Sequence, residues 1–208
     1  MNQPAFADPA ATWNQRFAGT GFLFGTEPNV YLRDHAAQLA PGGRVLCVAD
    51  GEGRNSVWLA RRGMHVDAFD IAAVGVEKAR QLAAAAGVTV NYEVADCDGW
   101  RWPAAAYDAV VAIFVQFADP ALRERLFARM IEALAPGGLL VLQGYTPKQL
   151  EYKTGGPPIL SHLYTADLLR TAFAALEIVE LVEYEADVAE GSGHAGRSAL
   201  VGMIARKR

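Results

Sequence analysis

The sequence of 208 residues has few of the features that define several large classes of protein. Its longest apolar runs, such as residues 109–115, are much shorter than the roughly 20 residues that a membrane-spanning helix requires. Only two cysteines occur, Cys47 and Cys97, so a disulfide framework is excluded and a reducing cytoplasm is the expected location. No basic stretch followed by an apolar core begins the chain, and we therefore expect no signal peptide.

Charge is also limited in amount and nearly balanced in sign. Nineteen basic and 23 acidic residues give a net charge of −4, and no dense basic block is present. This argues against a nucleic-acid partner that is bound mainly through its phosphates. The four histidines, at positions 35, 65, 162 and 194, have no further ligand at metal-binding spacing, so we expect no metal site. Hydrophobic residues make up 52% of the chain, which is enough for a globular core.

From residue 44 onward, short apolar segments alternate with helical segments. Strands are predicted at 44–49, 65–70, 88–94, 107–114 and 139–142, and helices at 54–62, 72–86, 119–134 and 165–174. Alternation of this kind predicts βαβ units and a parallel sheet with helices on both faces. The last two predicted strands, 176–184 and 198–205, have no helix between them and can pair as an antiparallel hairpin. The predicted fold is a three-layer α/β sandwich, Rossmann-like, with a seven-stranded, mostly parallel sheet that contains one antiparallel strand.

Residues 1–43 are predicted to be an N-terminal helical extension that covers a bound cofactor. Two helices, at 10–17 and 29–40, flank a loop at 19–29 in which glycines are spaced among aromatic residues. Residues 44–208 are predicted to form a single globular unit.

Ligands of such sheets bind at the carboxyl ends of the strands, so the loops after the first strands are the candidate site. The loop after the first strand contains Asp50, Gly51, Glu52, Gly53 and Asn55. Its glycines allow the backbone to approach a ligand closely, and we expect a Cβ at either glycine to push into that ligand or to force an unfavourable backbone. The alternative is a tight strand-to-helix turn without a ligand.

The next two loops carry further carboxylates. Asp70, followed by Ile71, ends the second strand, where a carboxylate can accept hydrogen bonds from both hydroxyls of a ribose. Alternatively, Asp70 caps the helix that follows. Asp96 and Cys97 follow the third strand, where Asp96 can bind the exocyclic amine of adenine or can be a turn residue.

Together with the turn Pro136-Gly137-Gly138 before the fifth strand, this pattern resembles the class I S-adenosylmethionine-dependent methyltransferases over residues 41–205. The resemblance implies S-adenosylmethionine as cofactor, bound by the three loops and by Phe114 after the fourth strand. One position departs from the family, which usually has an acidic residue two before the first glycine of the loop. Here Cys47 occupies that position and Ala49 replaces the glycine, so the methionine amino group needs another partner, such as Asp50 or loop carbonyls.

Segments 13–17, 24–29, 51–55 and 152–157 are similar to a subfamily of small bacterial methyltransferases that is grouped with the tellurite-resistance and thiopurine methyltransferases. This resemblance implies an aromatic N-terminal segment over the cofactor, with Trp13 and Thr26 close to it. Alternatively, Trp13 covers only the edge of the sheet.

Candidate substrate residues follow the fifth strand and join the last two strands. The stretch 143–162 has no regular periodicity and is predicted to be a lid, with Tyr145 and Tyr152 as substrate-binding candidates. His194 and Arg197 lie in the predicted hairpin connection at the same edge, where a histidine can act as a base and an arginine can hold an anion.

The predicted function is methyl transfer from S-adenosylmethionine to a small-molecule nucleophile, such as a thiol or a chalcogen oxyanion. No catalytic residue is assigned, because an ionised nucleophile needs no base. Two alternatives stay open: a nicotinamide-dependent oxidoreductase on a doubly wound fold, and an S-adenosylmethionine-binding regulator without catalysis.

Overall fold

The computed structural model describes residues 8–208, and residues 1–7 of the predicted N-terminal extension lie outside this range. The strands are β1 (Arg44–Val48), β2 (His65–Asp70), β3 (Asn91–Val94), β4 (Tyr107–Ile113), β5 (Leu134–Tyr145), β6 (Leu176–Glu190) and β7 (His194–Lys207). The helices are α1 (Pro9–Phe17), α2 (Val30–His35), α3 (Arg54–Arg61), α4 (Ala73–Ala85), α5 (Pro120–Ala133), α6 (Gln149–Tyr152) and α7 (Ala166–Ala172). Short 3-10 turns occupy Ala36–Gln38 and Leu160–His162.

The strands form one seven-stranded sheet in the order β3-β2-β1-β4-β5-β7-β6. All neighbouring pairs from β3 to β5 are parallel, whereas β7 is antiparallel to both β5 and β6. The predicted mostly parallel sheet with one reversed strand is therefore confirmed. The strand order changes direction between β1 and β4, which is where such folds bind their ligands.

Helices cover both faces of the sheet and divide the core into two layers. On one face Leu46, Val110 and Leu142 pack with α5 and α7. On the other face Val45 and Val111 pack with the side chains of α2 and α3. Because the central strands are buried on both faces, they are nearly continuous apolar runs, which is the pattern expected of an interior parallel strand.

Side-chain caps define where several helices begin. Asn29 accepts a hydrogen bond from the amide of Leu32, and Asp119 accepts one from the amide of Leu122. Asp119 also precedes Pro120, whose fixed φ suits the first turn of a helix. The N-cap positions Asn29 and Asp119 therefore position α2 and α5 independently of their packing.

The elements after residue 140 differ most from the predicted ones. The hairpin β6–β7 extends to the pair Glu190 and His194, well beyond the predicted strand limits of 184 and 198. The stretch 143–162 is also more regular than predicted, because β5 continues to Tyr145 in register with β7 and α6 follows. At the opposite edge β3 is shorter than predicted, since β2 is its single neighbour in the sheet. Strand ends depend on such pairing, which local sequence does not encode.

Candidate active site

The carboxyl ends of β1 and β4 lie side by side, and each is followed by a residue in the left-handed conformation. Ala49 has a φ of 48° and Phe114 a φ of 56°, values that side-chain-bearing residues rarely adopt. Strained positions of this kind cluster at functional sites. The conformation of Ala49 also explains why the related family has glycine at this position, because glycine adopts a positive φ without steric cost. In this chain alanine adopts the same conformation.

A cavity opens between these two strand ends. Its walls come from α1, the loop after β1, the ends of β1 and β4, and the start of β7. The lining residues are Trp13, Phe17, Phe24, Val48, Ala49, Asp50, Gly51, Arg54, Asn55, Val111, Ile113, Phe114, Phe117 and His194. The walls are therefore largely aromatic and aliphatic, with charged side chains confined to the loop side.

Asp50 is a half-buried carboxyl group beside the cavity. It accepts a short hydrogen bond from the Ser56 hydroxyl. Burial raises the pKa of Asp50 to about 7, and the nearby Asp70 carboxylate adds to this rise, against smaller opposing effects of Ser56 and Arg54. An ammonium group beside Asp50 would supply the missing positive charge, so this position suits a cationic ligand group.

Asp70 ends β2 and is held by backbone amides on both of its oxygens. The amide of Gly51 donates to one oxygen at 2.9 Å, and the amide of Ala72 donates to the other at 2.8 Å. Burial raises the pKa of Asp70 to about 6, although these amides favour the charged form. Each oxygen retains a second lone pair, so the carboxylate can still accept two hydroxyl groups. The ligand role and the helix-start role are thus compatible.

The two glycines of the loop after β1 have different surroundings. A Cβ on Gly51 would lie 3.2 Å from Phe17, at the cavity wall. A Cβ on Gly53 would lie 2.7 Å from the Cβ of Ala79 and 2.8 Å from the hydroxyl of Tyr92. The φ of 89° at Gly53 confirms the expectation of a backbone that is unfavourable for a side chain, and the close neighbours of a Cβ there belong to α4 and β3. Gly53 allows α3 and α4 to pack closely.

The loop after β3 is stabilised mainly by its own turn. Asp96 is exposed and accepts hydrogen bonds from the amides of Asp98 and Gly99 at 2.9 and 2.5 Å through one oxygen, which leaves the second oxygen for a ligand. Cys97 is buried, and burial raises the pKa of its thiol to about 12, so it is not a reactive nucleophile. Ile71, beside Asp70, is half-buried.

Residues 9–29, which we call the N-terminal cover, lie over the cavity. Trp13 stacks on Phe17 at a centroid distance of 5.4 Å, and Phe24 contacts Phe17 edge-on at 6.2 Å. All three rings line the cavity. Thr26 is exposed and is absent from the lining, so the structure does not bring it together with the other predicted residues.

Two side chains bind the cover to the rest of the domain: Lys78 of α4 and Glu52 of the loop after β1. The ammonium group of Lys78 donates to the carbonyl oxygens of Phe17 and Gly19, at 3.1 Å each, and to that of Gly21 at 2.5 Å. It also forms a buried ion pair with Glu52, which accepts a hydrogen bond from the amide of Leu23 at 2.7 Å. Glu52, predicted as a cofactor residue, is therefore occupied in holding the cover.

A buried polar network joins the cover to the β6–β7 hairpin. Arg54 forms an ion pair with Glu190 at 2.7 Å. The Asn29 side-chain amide donates to Glu190 at 2.9 Å and to Gln143 at 2.6 Å, and the Asn29 backbone amide donates to Asn55 at 2.9 Å. Asn55 thus lines the cavity and binds the end of the cover.

The four predicted substrate residues separate into two pairs. His194 lines the cavity, with its ring 4.3 Å from that of Phe114. Tyr145 is absent from the lining and is buried behind Phe114, on which it stacks at 4.7 Å. Tyr152 and Arg197 instead bind Glu185 on the outer surface of the hairpin, at 2.6 and 3.0 Å. The structure therefore does not place the second pair at the cavity: Tyr152 ends α6, and Arg197 lies three residues after His194 in β7, on the other face of the strand.

The sequence analysis does not predict the positions of three side chains at or beside the cavity: Phe17, Arg54 and Glu190. Phe17 and Arg54 lie within predicted motifs, but only the tertiary structure shows that they face the cavity. Glu190 carries no local signal, because its partners Arg54, Asn29 and His194 come from three separate segments.

The chain matches known methyltransferases in sequence and in fold. Residues 45–138 match the family model for a methyltransferase domain. A protein-L-isoaspartate O-methyltransferase of Methylorubrum extorquens is 36% identical over 149 residues, which cover 66% of this chain and 65% of that protein. The N-methyltransferase NodS of Bradyrhizobium japonicum, solved with S-adenosyl-L-homocysteine, has a TM-score of 0.71 at 15% identity, with 99% of each chain covered. TehB of Haemophilus influenzae has a TM-score of 0.70 at 17% identity over 96% of this chain and 67% of that one.

Residues 45–138 therefore resemble a methyltransferase domain, and the matches support S-adenosylmethionine as the cofactor. The likeness to TehB, at 17% identity, is a likeness of fold. Neither the nicotinamide-dependent oxidoreductase nor the non-catalytic regulator has support in the comparisons. Among residues 8–208, no helix has the length and apolar character that crossing a membrane requires.

Proposed function

We propose that the protein transfers a methyl group from S-adenosylmethionine to a small molecule that binds in the aromatic cavity. The observation that supports this most strongly is the N-terminal cover. Trp13, Phe17 and Phe24 close over the ends of β1 and β4, and Lys78 fastens the cover to α4. A cover of this kind excludes water and leaves little room for a protein or a nucleic acid.

The residues of the cavity, together with those of the loops after β2 and β3, fit the proposed cofactor. Asp70 suits the ribose hydroxyls, because each of its oxygens has a free lone pair. Asp50 suits the ammonium group, because its pKa is raised and a cation beside it would stabilise the charged carboxylate. The second oxygen of Asp96 suits the adenine amine, and the rings of Phe24 and Phe114 suit a sulfonium cation. The predicted roles of Ile71 and Cys97 beside the nucleoside belong to the same proposal.

S-adenosylmethionine supplies an activated methyl group when it is bound. The task of the chain is then to orient the acceptor and to exclude water. Effective orientation alone accounts for a large part of the rate of such reactions, about 7 kcal/mol or more in well-aligned intramolecular cases. The packed walls around Phe114 and His194 serve this purpose, because their side chains have few alternative conformations.

The acceptor is proposed from the cavity and not from the comparisons. The relatives differ in what they methylate, since one is named for protein isoaspartate and another is an N-methyltransferase. The chain also spans 65% of the length of the first of these. A small acceptor, no nucleic-acid partner and a cytoplasmic location are supported by the covered cavity, the absence of a basic block and the scarcity of cysteine.

Transfer of a radiolabelled methyl group tests the proposal. The protein is incubated with methyl-tritiated S-adenosylmethionine and three sets of acceptors: small thiols, phenols, amines and tellurite; an isoaspartyl peptide; and ribosomal RNA. We expect label in a small molecule, and at least about tenfold less with Asp70→Asn. Label in the peptide or RNA alone would contradict the small-molecule proposal. Cofactor binding without transfer to any acceptor would favour the regulator.

A further inference from the structure

His194 is a buried histidine at the wall of the cavity. It begins β7, directly after the turn 191–193, and is only 8% exposed. Its ring lies 4.3 Å from the ring of Phe24 and 4.3 Å from that of Phe114. Since Phe24 belongs to the cover and Phe114 to the end of β4, the imidazole is held between the two walls of the cavity.

The carboxylate of Glu190 lies next to the imidazole of His194, on the side of Nδ1. The Nδ1 atom of His194 lies 4.0 Å from Oε2 of Glu190, and within residues 8–208 it has no hydrogen-bond partner. Burial alone would raise the pKa of Glu190, but His194 and Arg54 lower it to about 2, so Glu190 is charged at neutral pH. A small movement of the ring would allow Nδ1–H to donate to Glu190, which leaves Nε2 as the nitrogen available to a ligand.

The charged groups around His194 come from three elements. Burial lowers the pKa of His194, and Arg54 of α3 and Arg16 of α1 lower it further, whereas Glu190 of β6 opposes the change. The imidazole is therefore neutral at pH 7 and can accept a proton. Arg54 is occupied by Glu190 at 2.7 Å, so it is not free to bind an anionic acceptor.

We propose that His194 is the proton acceptor of the reaction, with Glu190 as its positioning residue. The acceptor is then a small aromatic or apolar molecule with a weakly acidic thiol or hydroxyl group, and not an oxyanion. This inference rests on the proposed methyl transfer. As the acceptor atom bonds to the methyl carbon, the S–CH3 bond breaks with its electron pair left on sulfur, and the acceptor proton moves to Nε2. The imidazolium beside Glu190 later releases that proton to solvent.

Two thiols of different acidity separate this role from simple packing. Benzyl mercaptan is mostly protonated at pH 7, whereas 4-nitrothiophenol is ionised. We expect His194→Gln to lower kcat/KM for benzyl mercaptan about 100-fold and to change that for 4-nitrothiophenol less than about threefold. The wild-type rate with benzyl mercaptan should rise with pH through the imidazole pKa, and the variant should lose that step. His65→Gln, at an exposed histidine, is the matched control.

Two further readouts do not depend on turnover. Calorimetry should give an S-adenosylhomocysteine affinity for His194→Gln within about threefold of wild type, which shows that the cofactor site is intact. NMR titration should give His194 a pKa below the ordinary value of about 6.5, and Glu190→Gln should lower it further.

Each contrary result has a distinct meaning. Equal losses for both thiols, or an imidazole that is protonated at pH 7, would show that His194 is not the base. Methylation of tellurite but of neither thiol would overturn the acceptor class while leaving methyl transfer intact. Failure of the wild-type protein to bind S-adenosylhomocysteine would instead contradict the proposed function itself.

Discussion

The two sides of the cavity are stabilised in different ways. On the cofactor side, formed by the loops after β1, β2 and β3, the candidate ligands Asp50, Asp70 and Asp96 accept hydrogen bonds from residues that are 2 to 19 positions away in sequence. On the acceptor side, formed by the cover and the β6–β7 hairpin, Asn29 bonds to Gln143 and Glu190, which are 114 and 161 positions away. The cofactor side is thus a set of local turns, whereas the acceptor side exists only after the whole chain has folded.

The largest expected effect concerns packing on the cofactor side. Gly53 and Gly63 both have positive φ, of 89° and 82°, but a Cβ is crowded only at Gly53. We expect Gly63→Ala to lower the free energy of unfolding by about 1–2 kcal/mol, which is the cost of the left-handed backbone. Gly53→Ala adds overpacking against Ala79 and should cost about 2–5 kcal/mol in total. Urea unfolding measures both, and equal losses would mean that α4 moves freely away from the loop.

The next prediction tests whether the cover can be released without disturbing the cofactor side. Lys78→Met removes three hydrogen bonds to the cover and leaves Glu52 buried without its ion-pair partner, which we expect to cost about 3 kcal/mol. Hydrogen exchange should accelerate in residues 18–29. The double variant Lys78→Met/Glu52→Gln should recover stability but not protection. Arg80→Met on the same helix is the control, and acceleration confined to residues 50–55 would contradict the assignment.

A third prediction uses the pKa of Asp50. Because its pKa is about 7, Asp50 is neutral at lower pH and cannot pair with an ammonium group. The affinity for S-adenosylhomocysteine should therefore fall as pH decreases, by up to about tenfold between pH 8 and pH 6. Titrations should show a much flatter profile for Asp50→Asn, with the remaining slope due to Asp70, whose pKa is about 6. If the affinity of wild type and of Asp50→Asn depended on pH in the same way, the ammonium group of S-adenosylhomocysteine would not pair with Asp50.

The smallest effects are expected on the outer surface of the hairpin. Tyr152 and Arg197 bind Glu185, together with Lys148, away from the cavity. Tyr152→Phe and Arg197→Gln should change kcat/KM by less than about twofold and leave stability nearly unchanged, as is typical of exposed pairs. A loss of tenfold or more in either variant would mean that the acceptor reaches this surface.

The same difference between the two sides explains what the sequence can predict. Asp50, Asp70 and Asp96 follow apolar strands, and the parallel sheet brings strand ends together, so their proximity follows from local motifs. Ala49 and Phe114 are unfavourable residues for their backbone conformation, and propensity gives no hint of them.

On the acceptor side, sequence proximity is misleading. Tyr145 and Tyr152 belong to one predicted lid, yet Tyr145 ends β5 in the core whereas Tyr152 ends α6 on the outer surface. His194 and Arg197 belong to one predicted loop, yet only His194 lines the cavity, because β7 is longer than predicted and side chains alternate between the faces of a strand. The partners of Glu190 are His194, four residues away, and the distant Arg54 and Asn29, and only the folded chain brings the latter two to it.

Calorimetric titration of S-adenosylhomocysteine into three proteins tests most directly whether the two sides have separate roles. We expect Asp70→Asn to bind about 10- to 100-fold more weakly than wild type, because a charged hydrogen-bond acceptor is lost. His194→Gln should bind with nearly wild-type affinity while losing methyl transfer to benzyl mercaptan. Affinity of Asp70→Asn within about twofold of wild type, in a protein that circular dichroism shows to be folded, would place the cofactor outside the loops after β1 and β2 and contradict this account.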